Sequence, residues 1–94
     1  MVRRKGELSV AMIDRGWPYQ VALEARLSMG ERYYTVHFFC NDLSLCPRGH
    51  SFRRDNIDFN VYCFAERAHA ERFQARFGGE IFDARQTPRW YRKL

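Results

Sequence analysis

A chain of 94 residues suits one domain with a modest core, and a hydrophobic fraction of 46% with 16% aromatics excludes disorder throughout. No apolar run nears the roughly 18 residues that cross a bilayer, and "LSVAMI", bounded by Glu7 and Asp14, is too short for a signal-peptide core, so a soluble cytoplasmic protein is expected. The formal charge of +5 sits at the ends: residues 1–6 and 84–94 carry seven basic groups and no acidic one, while residues 7–83 carry nine basic and eleven acidic groups, a net of −2, which weakens a nucleic-acid reading of the body.

In "ELSVAMI" (7–13), Leu8, Val10 and Met12 alternate, a candidate edge strand within an N-terminal arm of residues 1–16. "PYQVALEA" (18–25) sets Tyr19, Val21 and Leu23 against Gln20, Ala22 and Glu24, the period of a half-buried strand. Ser28 followed by Glu31 forms a capping-box pattern. For residues 31–43, aromatic and β-branched content favours a strand, in which case residues 18–41 form a hairpin. The stripe Tyr33, Val36, Cys40 and Leu43 favours a helix, and the capping box decides for the helix. "GHSFRRDNIDFNVYCF" (49–64) reads as two strands around a turn at Asp55 and Asn56, with Phe59, Val61 and Cys63 toward the core. "AERAHAERFQARFGG" (65–79) is a helix with Ala70, Phe73 and Phe77 on one stripe and Gly78 as its cap. "EIFD" (80–83) adds a last strand.

The order β-α-β-β-α-β predicts an α+β, ferredoxin-like sandwich over residues 17–84: one antiparallel sheet with two helices on one face. Residues 85–94 form a basic, aromatic tail.

The stretch "VYCFAERAHAERFQARFGGEIFD" resembles the second half of an RNA-recognition motif: a strand ending in an aromatic, an Ala-rich helix, and a glycine before the last strand. The base-stacking residues of that motif do not carry over. With Phe59, Val61 and Cys63 inward, the outward set is Asp58, Asn60 and Tyr62, of which Tyr62 alone could stack. The run from "LSLCPRGHSFRRD" to "YCFAERAHAERFQARFGGE" also resembles a group of small uncharacterised bacterial proteins, which implies no activity and no site residues.

Four residues have metal-ligand chemistry: His37 and Cys40, three apart, and Cys46 and His50 in "CPRGH". A structural zinc site wants short ligand pairs, and Arg48 or Gly49 stands where a Cys-x2-Cys pattern needs its second cysteine. Each residue also has a plain role: Cys40 on the apolar stripe, Cys46 extended before Pro47, Gly49 in a turn. That reading is preferred, so no metal and no cofactor are expected. Three cysteines outside any CxxC pair suit free thiols in a reducing compartment. A Cys46–His50 nucleophile lacks an orienting third group, and paired catalytic carboxylates, phosphate loops and HExxH are absent from the sequence, so no enzyme is expected. His69 reads as a half-exposed helix residue, and "RRDNID" (53–58) as a solvated turn.

The expected function is a non-enzymatic protein-binding module, an adaptor or inhibitor of a larger machine or a homodimer, using an outer sheet face of Gln20, Glu24, Arg53, Asn60 and Tyr62. The alternative is nucleic-acid binding through the tails: Arg3, Arg4 and Lys5 with Arg85, Arg89, Trp90, Tyr91, Arg92 and Lys93. A small-ligand sensor is the third reading.

Overall fold

The computed structural model describes residues 9–86. It is an α+β fold whose elements run α1 (Val10–Gly16), β1 (Tyr19–Glu24), α2 (Glu31–Phe39), β2 (His50–Arg54), β3 (Ile57–Phe64), α3 (Arg67–Phe77) and β4 (Glu80–Asp83). The four strands form one antiparallel sheet in the order β2-β3-β1-β4. No helix among the described residues is long and apolar enough to cross a membrane.

Two apolar layers sandwich the sheet. On one face Val21, Leu23, Tyr62 and Phe64 meet Val36 and Cys40 of α2 and Ala70 and Phe73 of α3. On the other, Ala22, Phe52, Phe59, Val61 and Cys63 meet Ile13 of α1, with Trp17 alongside. The central strands β1 and β3 are therefore buried on both sides, which explains their near-continuous apolar sequence. Asp55 and Asn56, both at positive φ, make the two-residue turn that joins β2 to β3, a conformation these residue types tolerate. Gly78 ends α3 at φ 89°, where a side chain would be strained.

Four expectations are corrected. Residues 10–16 form a helix, not an edge strand. Ser9 caps it by accepting a hydrogen bond from the Met12 amide, and the buried residues are Ile13 and Asp14, while Val10 and Met12 are exposed. The helix expected over residues 31–43 forms over Glu31–Phe39 and is followed by a short helical turn at Cys40–Asp42, but the capping box does not form. Gly30 holds the N-cap position, and the buried Ser28 hydroxyl donates to the Ala25 carbonyl and accepts from Asn60. Phe59, Val61 and Cys63 are buried, yet they face α1; the residues toward α2 and α3 are Asn60, Tyr62 and Phe64. The face opposite α2 and α3, where an RNA-recognition motif stacks bases, is thus apolar and lies under α1. There Phe52 and Phe59 stack at 5.0 Å, beneath the Arg54 guanidinium.

Finally, "CPRGH" is a bulge in the β2 side of the hairpin. Leu45 bridges to Phe64, and the Cys46 amide donates to the Cys63 carbonyl at 2.8 Å. Pro47, Arg48 and Gly49 then bow outward, and pairing resumes with His50 opposite Val61. Gly49 is needed for space rather than for turning: a β-carbon there would lie 2.6 Å from the Val61 carbonyl oxygen.

Candidate functional site

α3 lies along β1, β3 and β4, whereas α2 makes its closest backbone approaches to the short helical turns at residues 25–28 and 40–42. α2 reaches the core through Val36 and Cys40, so a cleft of about 600 Å3 opens between it and the β2–β3 hairpin. Tyr33 and His37 overhang it, with ring centroids 4.2 Å apart. Ser51, Asn60 and Tyr62 lie on its sheet side. The Asn60 amide nitrogen donates to Ser28 Oγ at 3.1 Å. Burial pushes the Tyr62 hydroxyl pKa up.

All four residues of the suspected metal cluster border this cleft, but they do not converge. Cys40 belongs to the layer under α2 and α3, and Cys46 to the layer under α1. His50 pairs with Val61 and so points to the α1 side, while His37 is exposed on α2. A strand and its pleat separate the two pairs. Among the described residues no three His, Cys, Asp or Glu side chains gather at metal-binding distance.

Burial disfavours the thiolate form at Cys40 and Cys46. Burial raises the Cys40 pKa to about 11, and burial also raises Cys46, against a smaller lowering by the Arg48 backbone amide. All three cysteines are buried and none is in a disulfide.

A Ser–His–Glu grouping, not anticipated from sequence, is present at the start of α3. Ser44 Oγ lies 2.8 Å from His69 Nδ1, and Glu66 Oε1 lies 3.6 Å from His69 Nε2. The Ser44 backbone amide also donates to Nδ1 at 2.9 Å, so Nδ1 is an acceptor and the hydroxyl donates to it. The same oxygen accepts from the Ala65 and Glu66 amides, each at 3.1 Å. With its lone pairs taken by amides, Ser44 is a structural tie between the 43–45 segment and α3, not an attacking group. His69 is accordingly half-buried and bonded.

The expected sheet surface does not form one exposed face. Gln20 is wholly buried, its amide donating to Asp14 Oδ1 at 3.1 Å and to the Trp17 carbonyl at 3.0 Å. Tyr62 is buried on the opposite face, beside Phe73. Asn60 borders the cleft, Glu24 pairs with Arg26, and the exposed Arg53 pairs with Asp58.

The exposed apolar groups are elsewhere. On α2, Tyr34 is 74% and Phe38 81% exposed, one helical turn apart, and Met29 precedes them at 63%. A groove lined by Thr35, Phe39, Asp42 and Arg76 runs beside this pair. The sequence signal for it was present: "YYTVHFF" puts large apolar residues on every side of a helix, more than one buried stripe can use.

Of the basic tail residues, Arg85 is described, and its guanidinium is held by both Asp83 carboxylate oxygens, at 3.0 and 2.8 Å, and by the Tyr19 hydroxyl at 3.1 Å. Arg3, Arg4, Lys5, Arg89, Trp90, Tyr91, Arg92 and Lys93 lie outside the described residues.

Comparison with protein-family models, with curated proteins and with solved structures finds no match to this chain.

Proposed function

We propose that this chain is a small, non-enzymatic protein-binding module on a ferredoxin-like sandwich, and that its partner is a second copy of itself docked through α2. The observation that carries the reading is the exposure of Tyr34 and Phe38, an aromatic pair one turn apart on a helix whose opposite side is already in the core. Tyr, Phe and Met are enriched at protein interfaces, and an aromatic patch left in water is a docking surface before it is anything else. The adjacent groove gives the same face both projecting rings and a recess. A surface with both can pair with itself about a twofold axis.

The strand order β2-β3-β1-β4, with α2 and α3 as the two crossovers, supports the ferredoxin-like reading. The raised thiol pKa values and the capped Ser44 hydroxyl support the non-enzymatic one. Buried thiols, none in a disulfide, suit a reducing, cytoplasmic setting.

A concentration series followed by amide NMR tests the docking surface. Shifts that grow with concentration and cluster at Met29, Tyr34 and Phe38 support it. Concentration-dependent shifts confined to the α1 side of the sheet contradict it.

A further inference from the structure

We propose that the cleft between α2 and the β2–β3 hairpin binds a neutral, planar heteroaromatic small molecule of nucleobase or nucleoside size. This site lies on the inner flank of α2 and is independent of the outer pair Tyr34 and Phe38.

Three features of the lining select that chemistry. First, its size: about 600 Å3 falls within the range of small-ligand pockets. Second, its charge: among the described residues no Asp, Glu, Lys or Arg side chain lines it, so these residues offer a phosphate or an ammonium no carboxylate, ammonium or guanidinium partner. Third, the placement of its polar and aromatic groups. Tyr33 and His37 form one wall, and the His37 ring meets the buried Tyr62 ring at 6.2 Å and 65°, edge to face. A flat ring entering between α2 and the sheet can stack on this wall. On the sheet side, Asn60 is a half-buried carboxamide held by Ser28 through its nitrogen, which leaves its oxygen as a fixed acceptor. Ser51, on the neighbouring edge strand directly opposite Asn60, adds a hydroxyl that both donates and accepts. A carboxamide oxygen beside a hydroxyl matches the alternating N–H and C=O edge of a nucleobase, and a neutral base loses little on leaving water for such a site.

The test is an amide NMR titration of the full chain with adenosine, guanosine, cytidine and uridine, and separately with their 5′-monophosphates. At least one nucleoside is expected to give saturable shifts at Tyr33, His37, Ser51 and Asn60, with its monophosphate binding no tighter. Asn60→Ala should weaken that binding about tenfold, the effect of losing one ligand hydrogen bond. Ser51→Trp fills the cleft from an exposed position and should abolish binding while leaving the rest of the spectrum intact. No saturable shift from any of the four nucleosides at millimolar concentration overturns the proposal. So does a monophosphate that binds markedly tighter than its nucleoside, or nucleoside binding that survives Ser51→Trp.

Discussion

Gln20 and Asp14 form a buried hydrogen bond, 3.1 Å from the amide nitrogen to Oδ1, that ties α1 to the centre of the sheet. α1 is only seven residues long, too short to be helical alone, so its position depends on this bond, on the Gln20 bond to the Trp17 carbonyl, and on Ile13 in the layer beneath. Gln20→Ala should therefore cost about 1–3 kcal/mol in denaturant unfolding. Ser9→Ala, which removes only the cap of the same helix, should cost about 1 kcal/mol. Equal stability of Gln20→Ala and the parent chain would show that α1 is not held this way.

The Ser44–His69 tie makes a second demand on the fold. Ser44 Oγ serves the Ala65 and Glu66 amides as well as the imidazole, so it caps α3, whose N-cap residue Glu66 makes no side-chain cap of its own. Ser44→Ala should lower stability by about 1–2 kcal/mol. His69→Ala should cost a similar amount, and the two losses should be clearly non-additive in a double-mutant cycle because they share one bond. Full additivity would contradict the geometry.

Thiol chemistry provides a third check. With Cys40 raised to about 11 and Cys46 raised as well, both by burial, the neutral thiol persists through ordinary buffer pH. A disulfide reagent at mildly alkaline pH should react slowly with the native protein and rapidly with three thiols per chain once it is denatured. Fast reaction of the native protein would contradict the burial of these groups.

The hairpin, α3 with its stripe and cap, β1 and β4 were legible because in each the local pattern and the tertiary role agree: Asp55 and Asn56 make the turn their φ angles require, and Phe73 is buried where the helical period put it. α1 was not, because "LSVAMI" supports two periods. Leu8, Val10 and Met12 alternate as in a strand, while Ser9 is a helix cap and Ile13 and Trp17 recur one turn apart. The direction of β3 was hidden for a related reason. Val61, Tyr62, Cys63 and Phe64 are all buried, so parity alone does not say which pair meets α2 and α3; the far face carries an apolar layer of its own, joined by Ile13 of α1, and both pairs are apolar. The Cys and His residues of "CPRGH" and α2 share a cleft border without converging, because Cys40 and Cys46 belong to different layers. Their separation depends on the bulge at 47–49, which no spacing rule encodes.

The Asp83–Arg85 pair predicts a pH effect. The Arg85 guanidinium, by hydrogen bonding, holds the Asp83 carboxyl below its ordinary value. A depressed carboxylate pKa contributes stability that is present above the unfolded-state value and is lost as pH falls through the lower folded value. Asp83→Asn should therefore reduce stability near neutral pH and flatten this part of the acid limb. The contribution should be small and reduced by salt, because Arg85 is exposed. An unchanged acid limb in Asp83→Asn would show that the pair does not act on folding.

Sedimentation velocity of the parent chain beside Phe38→Glu tests the docking claim most directly. Phe38 is 81% exposed, so the substitution spares the core while placing a charge at the centre of the proposed interface. The parent chain should be dimeric at high micromolar concentration, and the folded variant should sediment as a monomer. A parent chain that stays monomeric at that concentration, or a Phe38→Glu variant that dimerises as well as the parent, would contradict the docking claim.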